Sequence, residues 1–137
     1  MAQINAYLNF KDQAREAMEF YKGVFGGKLE IQTIGQSPMA KETPKEVHNR
    51  VMHATLQGGG VMLMAADSSK PENYKIGNAI ILSVNCDSEE EIQDLFKKLS
   101  VGANVTMALA QQFWGATFGM LTDKFGLHWM MNFQSKK

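Results

Sequence analysis

The stretch "GVMLMA" at 60–65 returns in altered form as "GLHWMM" at 126–131. Both run glycine, branched residue, variable residue, large apolar residue, methionine. A pattern that recurs in a chain of 137 residues restricts the fold more than composition does. A duplicated segment implies a duplicated supersecondary unit, which must bury its apolar face in the same way twice.

The first half reads as β-α-β-β-β. "INAYLNF" alternates, with Ala6, Leu8 and Phe10 on one side and Asn5, Tyr7 and Asn9 on the other, the period of a strand with one buried face. From Asp12, read as the N-cap, the period turns helical. Ala14, Ala17, Met18, Tyr21, Val24 and Phe25 recur at helical spacing until Gly26-Gly27 closes the helix. "KLEIQTI" is a second strand. The polar stretch from Gly35 to about Glu46 carries Pro38 and Pro44, which are unsuited to a sheet interior. It reads as a loop, long for a compact domain, and either a lid or disordered. "VHNRVMHATLQ" and "GVMLMAA" are strands joined as a hairpin through Gly58-Gly59-Gly60.

The second half repeats this order. "NAIILSV" is a strand that opens on the same Asn-Ala pair as "NAYLNF". "DSEEEIQDLFKKLSVG" is a helix with Ser88 and Glu91 placed as a capping box and Ile92, Leu95, Phe96 and Leu99 as its apolar stripe. "NVTMALAQ", "GATFGMLT" and "GLHWMMNF" are three more strands, the last two joined by "DKFG". Aligned on their glycines, the copies match Gly27 to Gly102, Gly60 to Gly126, Leu63 to Trp129 and Met64 to Met130. The expected architecture is α+β: two tandem βαβββ modules, about 1–68 and about 76–137, in one domain. Their strands form a curved, barrel-like mixed sheet with the helices outside and a concave cleft within.

Bulk properties bound the partners. Fourteen basic residues balance fourteen acidic ones, so no general attraction to nucleic acid or to a membrane surface is expected. The apolar runs are too short to cross a bilayer. "MAQINAYLNF" lacks the charged start and apolar core of a signal peptide, and the single Cys86 excludes an internal disulfide; both fit a cytoplasmic protein. Without a cysteine cluster, a finger-type zinc site is not expected.

The segments "AYLNF", "AMEFYKGVFGG", "MHATLQGGGVMLMAAD" and "VTMALAQQFWGATFGMLTDKFGLHWMMN", in this strand order, resemble the vicinal oxygen chelate superfamily. That superfamily includes glyoxalase I, extradiol dioxygenases and bleomycin resistance proteins, and within it the chain is most similar to the PhnB-like group. The resemblance implies a glyoxalase-like fold and a homodimer. In metal-using members it implies a divalent ion held by His, Gln or Glu on the first and last strands of each module. The corresponding residues here are Asn5, Met64, Asn78 and Met130. A neutral amide and a soft thioether are poor donors to a hard or borderline divalent ion. The inherited metal site is therefore read as absent, and no cofactor is expected. The group often carries a name referring to a ubiquinone-precursor methyltransferase. The glycine run at 58–60 joins two strands, whereas a nucleotide-binding glycine loop opens a helix.

A rebuilt metal site would need His53 and His128 to meet Asp67 or Asp123. By alternation Asn49, Val51, His53, Thr55 and Gln57 share a face, taken as the cleft side. His48 is expected to reach solvent. Cys86, ahead of a helix, is a weak nucleophile candidate, and its simpler role is to fill a strand end.

What remains is a pocket. Tyr7, His53, Met62 and Met64 would line it from the first module, and Phe113, Trp114, Phe118, Met120, His128 and Met130 from the second. Asn5, Asn9 and Asn78 would supply polar contacts. Such a lining suits an uncharged, apolar or aromatic small molecule. Trp129, on the opposite parity to Met130, is expected in the core. Two readings follow: a metal-free binding protein, and an enzyme (lyase, isomerase or dioxygenase) with a displaced divalent metal or with His53 or His128 in acid–base catalysis.

Overall fold

A computed structural model of the protein describes residues 2–135. The chain divides after Tyr74 into two compact units, each a β-α-β-β-β module with its own four-stranded sheet. The first contains β1 (Ala6–Phe10), α1 (Ala14–Phe25), β2 (Lys28–Thr33), β3 (Val51–Gly58) and β4 (Val61–Asp67), with its strands ordered β1-β4-β3-β2. The second contains β5 (Leu82–Asn85), α2 (Glu89–Leu99), β6 (Asn104–Gln111), β7 (Ala116–Thr122) and β8 (His128–Gln134), ordered β5-β8-β7-β6. In both, the first strand runs parallel to the last and the other neighbours are antiparallel. The first and second strands lie at opposite edges, so the helix between them crosses one face of the sheet and covers it. The α+β class and the duplicated module are as expected. The strands form two open sheets, with no closed barrel among the described residues.

Each covered face is the core of its module. Leu8, Phe10, Ala54, Leu56, Leu63 and Ala65 of the first sheet are buried, as are Ala14, Ala17, Met18 and Tyr21 of α1. Leu121, Trp129 and Met131 play the same part opposite Ile92, Phe96 and Leu99 of α2. Burying one such large side chain stabilises by about 1.5–3 kcal/mol, so these two layers carry most of the stability. Trp129, in the core as expected, is only 3% exposed, and its Nε1–H donates to Asp123 Oδ2 at 2.8 Å.

Local expectations fail at four places. First, α1 does not start from Asp12. Its N-cap is Gln13, whose side chain caps nothing; the N–H of Ala14 donates instead to Asp67 Oδ1 at 3.0 Å, from the end of β4. At α2 the cap is local: Ser88 Oγ accepts from the N–H of Glu91 at 3.0 Å, and the Glu91 carboxylate accepts from Asp87 at 2.7 Å. Second, β3 begins only at Val51, after a 3-10 turn at Lys45–Val47, which leaves Asn49 in an exposed turn. The register then slips: Thr33 faces Val51 while Gln32 faces His53, so Met52 is an extra residue. This bulge reverses parity, placing Val51 with buried Ala54 and Leu56 and not with His53.

Third, the 35–46 stretch is built from 3-10 turns at Ile34–Gln36 and Pro38–Glu42, with Ser37 buried beneath them. His48 holds these turns; it is half-buried, and its Nε2–H donates to the carbonyls of Ala40 (3.0 Å) and Thr43 (3.2 Å). The expectation that it reaches solvent is thereby corrected. Fourth, β5 does not begin at Asn78. It spans Leu82–Asn85, and Asn78 sits in an exposed bend before it.

Candidate functional site

Each sheet presents a second face, turned away from its helix, and the strand register decides what stands on it. In the first module Tyr7 faces Met64, Met64 faces Thr55, and Thr55 faces Glu30. Asn9 faces Ala66, and Met62 faces Gln57. His53 shares this face. Its Nδ1 lies 3.2 Å from the Tyr7 hydroxyl and its Nε2 3.2 Å from Thr55 Oγ1, so in a neutral imidazole one hydroxyl donates and the other accepts. The charges on this face sit at its β2 edge, where exposed Lys28 pairs with Glu30 at 3.2 Å.

The second module presents a different face. One row runs Ser83, Met130, Met120, Met107 across β5, β8, β7 and β6. The next runs Asn85, Asn132, Phe118, Ala110. His128 stands opposite Thr122. Its Nε2–H donates to the carbonyl of Gly77 at 3.0 Å, leaving Nδ1 as acceptor for the Thr122 hydroxyl at 3.0 Å. No Asp, Glu, Lys or Arg stands among these residues. Trp114, at the tip of the β6–β7 hairpin, packs edge-on to Phe118 with ring centroids 6.2 Å apart. Phe113, beside it, is 97% exposed, with its ring edge-on to that of Trp114 at 5.0 Å between centroids.

Of the residues expected to line a pocket, Tyr7, Asn9, His53, Met62 and Met64 share one open face, and Phe118, Met120, His128 and Met130 share the other. Asn5 and Asn78 lie outside the strands and pair with nothing in either sheet. The shared Asn-Ala pair misaligns the first strands. Ala6 faces Leu63 and Leu82 faces Trp129, so with Leu63 matched to Trp129 the equivalent of Tyr7 is Ser83 and that of Asn9 is Asn85. Ser83 and Asn85 escape the sequence reading for this reason, and Met107 escapes it because β6 meets β7 through register shifts on either side of that residue. The usable signal is "LNF" against "VNC", where a polar residue precedes a buried strand end.

The two carboxylates proposed for a rebuilt metal site are spent on the scaffold. Asp67 accepts from the N–H groups of Ala14 and Val51. Asp123, 4% exposed, accepts from those of Phe125 and Leu127 and from the Trp129 indole. Among the described residues no three His, Cys, Asp or Glu side chains converge. Cys86 is buried at the end of β5, and burial, with Glu91 and Asp87 adding repulsion, pushes its thiol from 9.0 up to about 11. A thiol held protonated is a poor nucleophile.

The fold matches that of known proteins. The sequence profile of the family described as 3-demethylubiquinone-9 3-methyltransferase matches residues 2–132. The chain belongs to this PhnB-like family. The crystal structure of protein PA1353 from Pseudomonas aeruginosa is 38% identical, with a TM-score of 0.87, over 99% of this chain and 100% of that one. A PhnB protein from Bacillus cereus is 32% identical, with a TM-score of 0.77, over 96% and 99%. A glyoxalase/bleomycin resistance protein/dioxygenase family enzyme from Burkholderia phytofirmans shares the fold at 16% identity and a TM-score of 0.66, over 95% and 98%. The PhnB-like chain thus shares its fold with glyoxalase/bleomycin resistance/dioxygenase family proteins.

The metal-using proteins that the sequence resembles call for a divalent ion, and the donors here do not fit one. Of the four positions that the resemblance assigns to ligands, Asn5 and Asn78 lie outside the strands, while Met64 and Met130 face Tyr7 and Ser83 on the first strands. A phenol, a hydroxyl and two thioethers carry no charge to offset dehydration of a hard cation.

Proposed function

We propose that this PhnB-like protein binds an uncharged, apolar or aromatic small molecule on the open faces of its sheets, without a hard divalent cation. The observation that carries this reading is the second module's face: Met107, Met120, Met130 and Phe118 lie beside the neutral hydrogen-bonding groups of Ser83, Asn85 and Asn132, with no formal charge among them. Thioethers adapt to irregular apolar shapes, and a few amides suffice to orient a ligand. Tyr7, Met62, Met64 and Asn9 repeat the composition on the first face. A cytoplasmic homodimer that engages neither nucleic acid nor membrane completes the proposal. The charge balance supports it, and among the described residues no helix is long and apolar enough to cross a membrane.

Thermal unfolding with a panel of small aromatics tests this. Neutral planar compounds are expected to raise the melting temperature, by the equivalent of about 2.7 kcal/mol at a hundredfold excess over Kd. Carboxylated or ammonium analogues are expected to raise it far less. Placing a charge on the face with Met120→Lys should abolish the shift. Equal stabilisation by charged analogues, or an unchanged shift in M120K, overturns the proposal.

One observation favours a second reading. The Tyr7–His53–Thr55 chain is a ready path for a proton, which would suit a lyase, isomerase or dioxygenase acting on an oxygenated substrate. Methyl transfer has no such support, since Gly58, Gly59 and Gly60 turn a hairpin instead of opening a helix. A ligand found to turn over in the wild type and not in His53→Gln would replace binding by catalysis as the better account.

A further inference from the structure

We infer that the methionine row of the second sheet is a binding site for a soft monovalent metal ion, Cu(I) or Ag(I). Met107, Met120 and Met130 occupy one register position on three adjacent strands, β6, β7 and β8. Met120 and Met130 are a regular cross-strand pair and leave the sheet on the side away from α2, and Met107 is brought opposite Met120 between two irregularities of β6, at Val105/Met107 and Met107/Ala110. Adjacent strands are about 4.8 Å apart, which sets Met107 and Met130 about 10 Å from each other with Met120 between them. Each side chain has three rotatable bonds, so the outer sulfurs can swing inward over the central one.

Thioether sulfur prefers Cu(I) and is a poor ligand for zinc, magnesium or calcium. The surroundings select in the same direction. Met120 and Met130 are half-buried, Met107 is 44% exposed at the edge strand, and among the described residues paired along these rows there is no carboxylate to draw in a divalent ion. The imidazole on this face, His128, has both ring nitrogens engaged by Gly77 and Thr122. A single positive charge among three neutral, polarisable sulfurs is the cation this face can accept at least cost in desolvation. A chain with the usual hard donors replaced would thus keep a metal preference of the opposite kind. This inference does not depend on small-molecule binding, because it concerns the sulfur atoms and not the shape of the face.

The test uses the full chain carrying Cys86→Ala, so that the thiol does not compete. Silver nitrate is titrated while the ε-methyl signals of 13C-methionine are followed. Anaerobic Cu(I) affinity is measured separately against a chromogenic chelator. The expected result is one equivalent bound, with the methyl signals of Met107, Met120 and Met130 shifting together and those of the other methionines staying in place. Met120→Leu conserves volume and should weaken Cu(I) binding at least tenfold with the circular dichroism spectrum unchanged. Zinc should move none of the three signals. Shifts spread evenly over all the methionines, shifts absent from the row, or an M120L affinity within twofold of the parent would each overturn the assignment. Should M120L unfold, the same comparison is read from Met107→Leu at the exposed edge.

Discussion

Asp67 shows how much one side chain decides in this fold. Its two oxygens accept from Ala14 at the start of α1 and Val51 at the start of β3, so the carboxylate holds a helix and two strands at one corner of the first module. Its charge also complements the partial positive charge of the helix N-terminus. Asp67→Ala leaves both N–H groups without their acceptor and is expected to cost about 2–4 kcal/mol. Asp67→Asn keeps one carbonyl and should cost roughly half as much. Urea unfolding of the two variants measures the difference; equal losses would mean that the carboxylate's second bond contributes nothing. No nearby residue pattern announces this role, because the acceptor lies 53 residues from Ala14, at the far end of the same module. Asp12, the residue that looks like a cap, is left outside the helix.

At the scale of elements, α1 and the β7–α2 contact respond in opposite ways to the same substitution. Gly23 lies in α1 with open space where a Cβ would stand, and its backbone is ordinary helix. Gly23→Ala should therefore stabilise by about 0.5–1 kcal/mol, since alanine loses less conformational freedom on entering a helix. Gly119 sits in β7 under α2, and an added Cβ would meet Phe96 Cε2 and Leu109 Cδ2 at 2.9 Å each and the Leu109 backbone at 3.2 Å. Side chains can shift, but the backbone atom cannot do so cheaply, and overpacking of this kind costs about 1–3 kcal/mol. Parallel thermal melts should separate the two variants in sign. A Gly119→Ala variant as stable as the wild type would show that the second core is looser than its distances indicate.

For the whole molecule the open question is what covers the apolar surface left on one chain. Ile80 is 77% exposed, Ile4 fully so, and β6 shows Val105 and Met107 at 42% and 44%. An unpaired edge strand with apolar residues invites association. The proposed homodimer predicts a mass of about twice 15.3 kDa in sedimentation at micromolar concentration. A single 15.3 kDa species would refute it. Val105→Lys on the edge strand is a second check: if β6 takes part in pairing, the charge should raise the dimer dissociation constant at least tenfold, and no change would place the interface elsewhere.

The sequence by itself determined the duplicated β-α-β-β-β order, because alternation and helical spacing are local and each copy carries its own closing glycines. It also determined which side of most strands is buried, and hence that Tyr7, Met64, Met120 and Met130 stand on the open faces. Tertiary structure decided the rest. The bulge at Met52 moved Val51 into the core, since a register slip depends on the neighbouring strand. The pairing of Leu82 with Trp129 replaced Asn78 by Ser83, because strand register is a property of two segments and a repeated Asn-Ala pair reports only on one. Three methionines, scattered in sequence between 107 and 130, became a row only when hydrogen bonds between strands fixed them side by side.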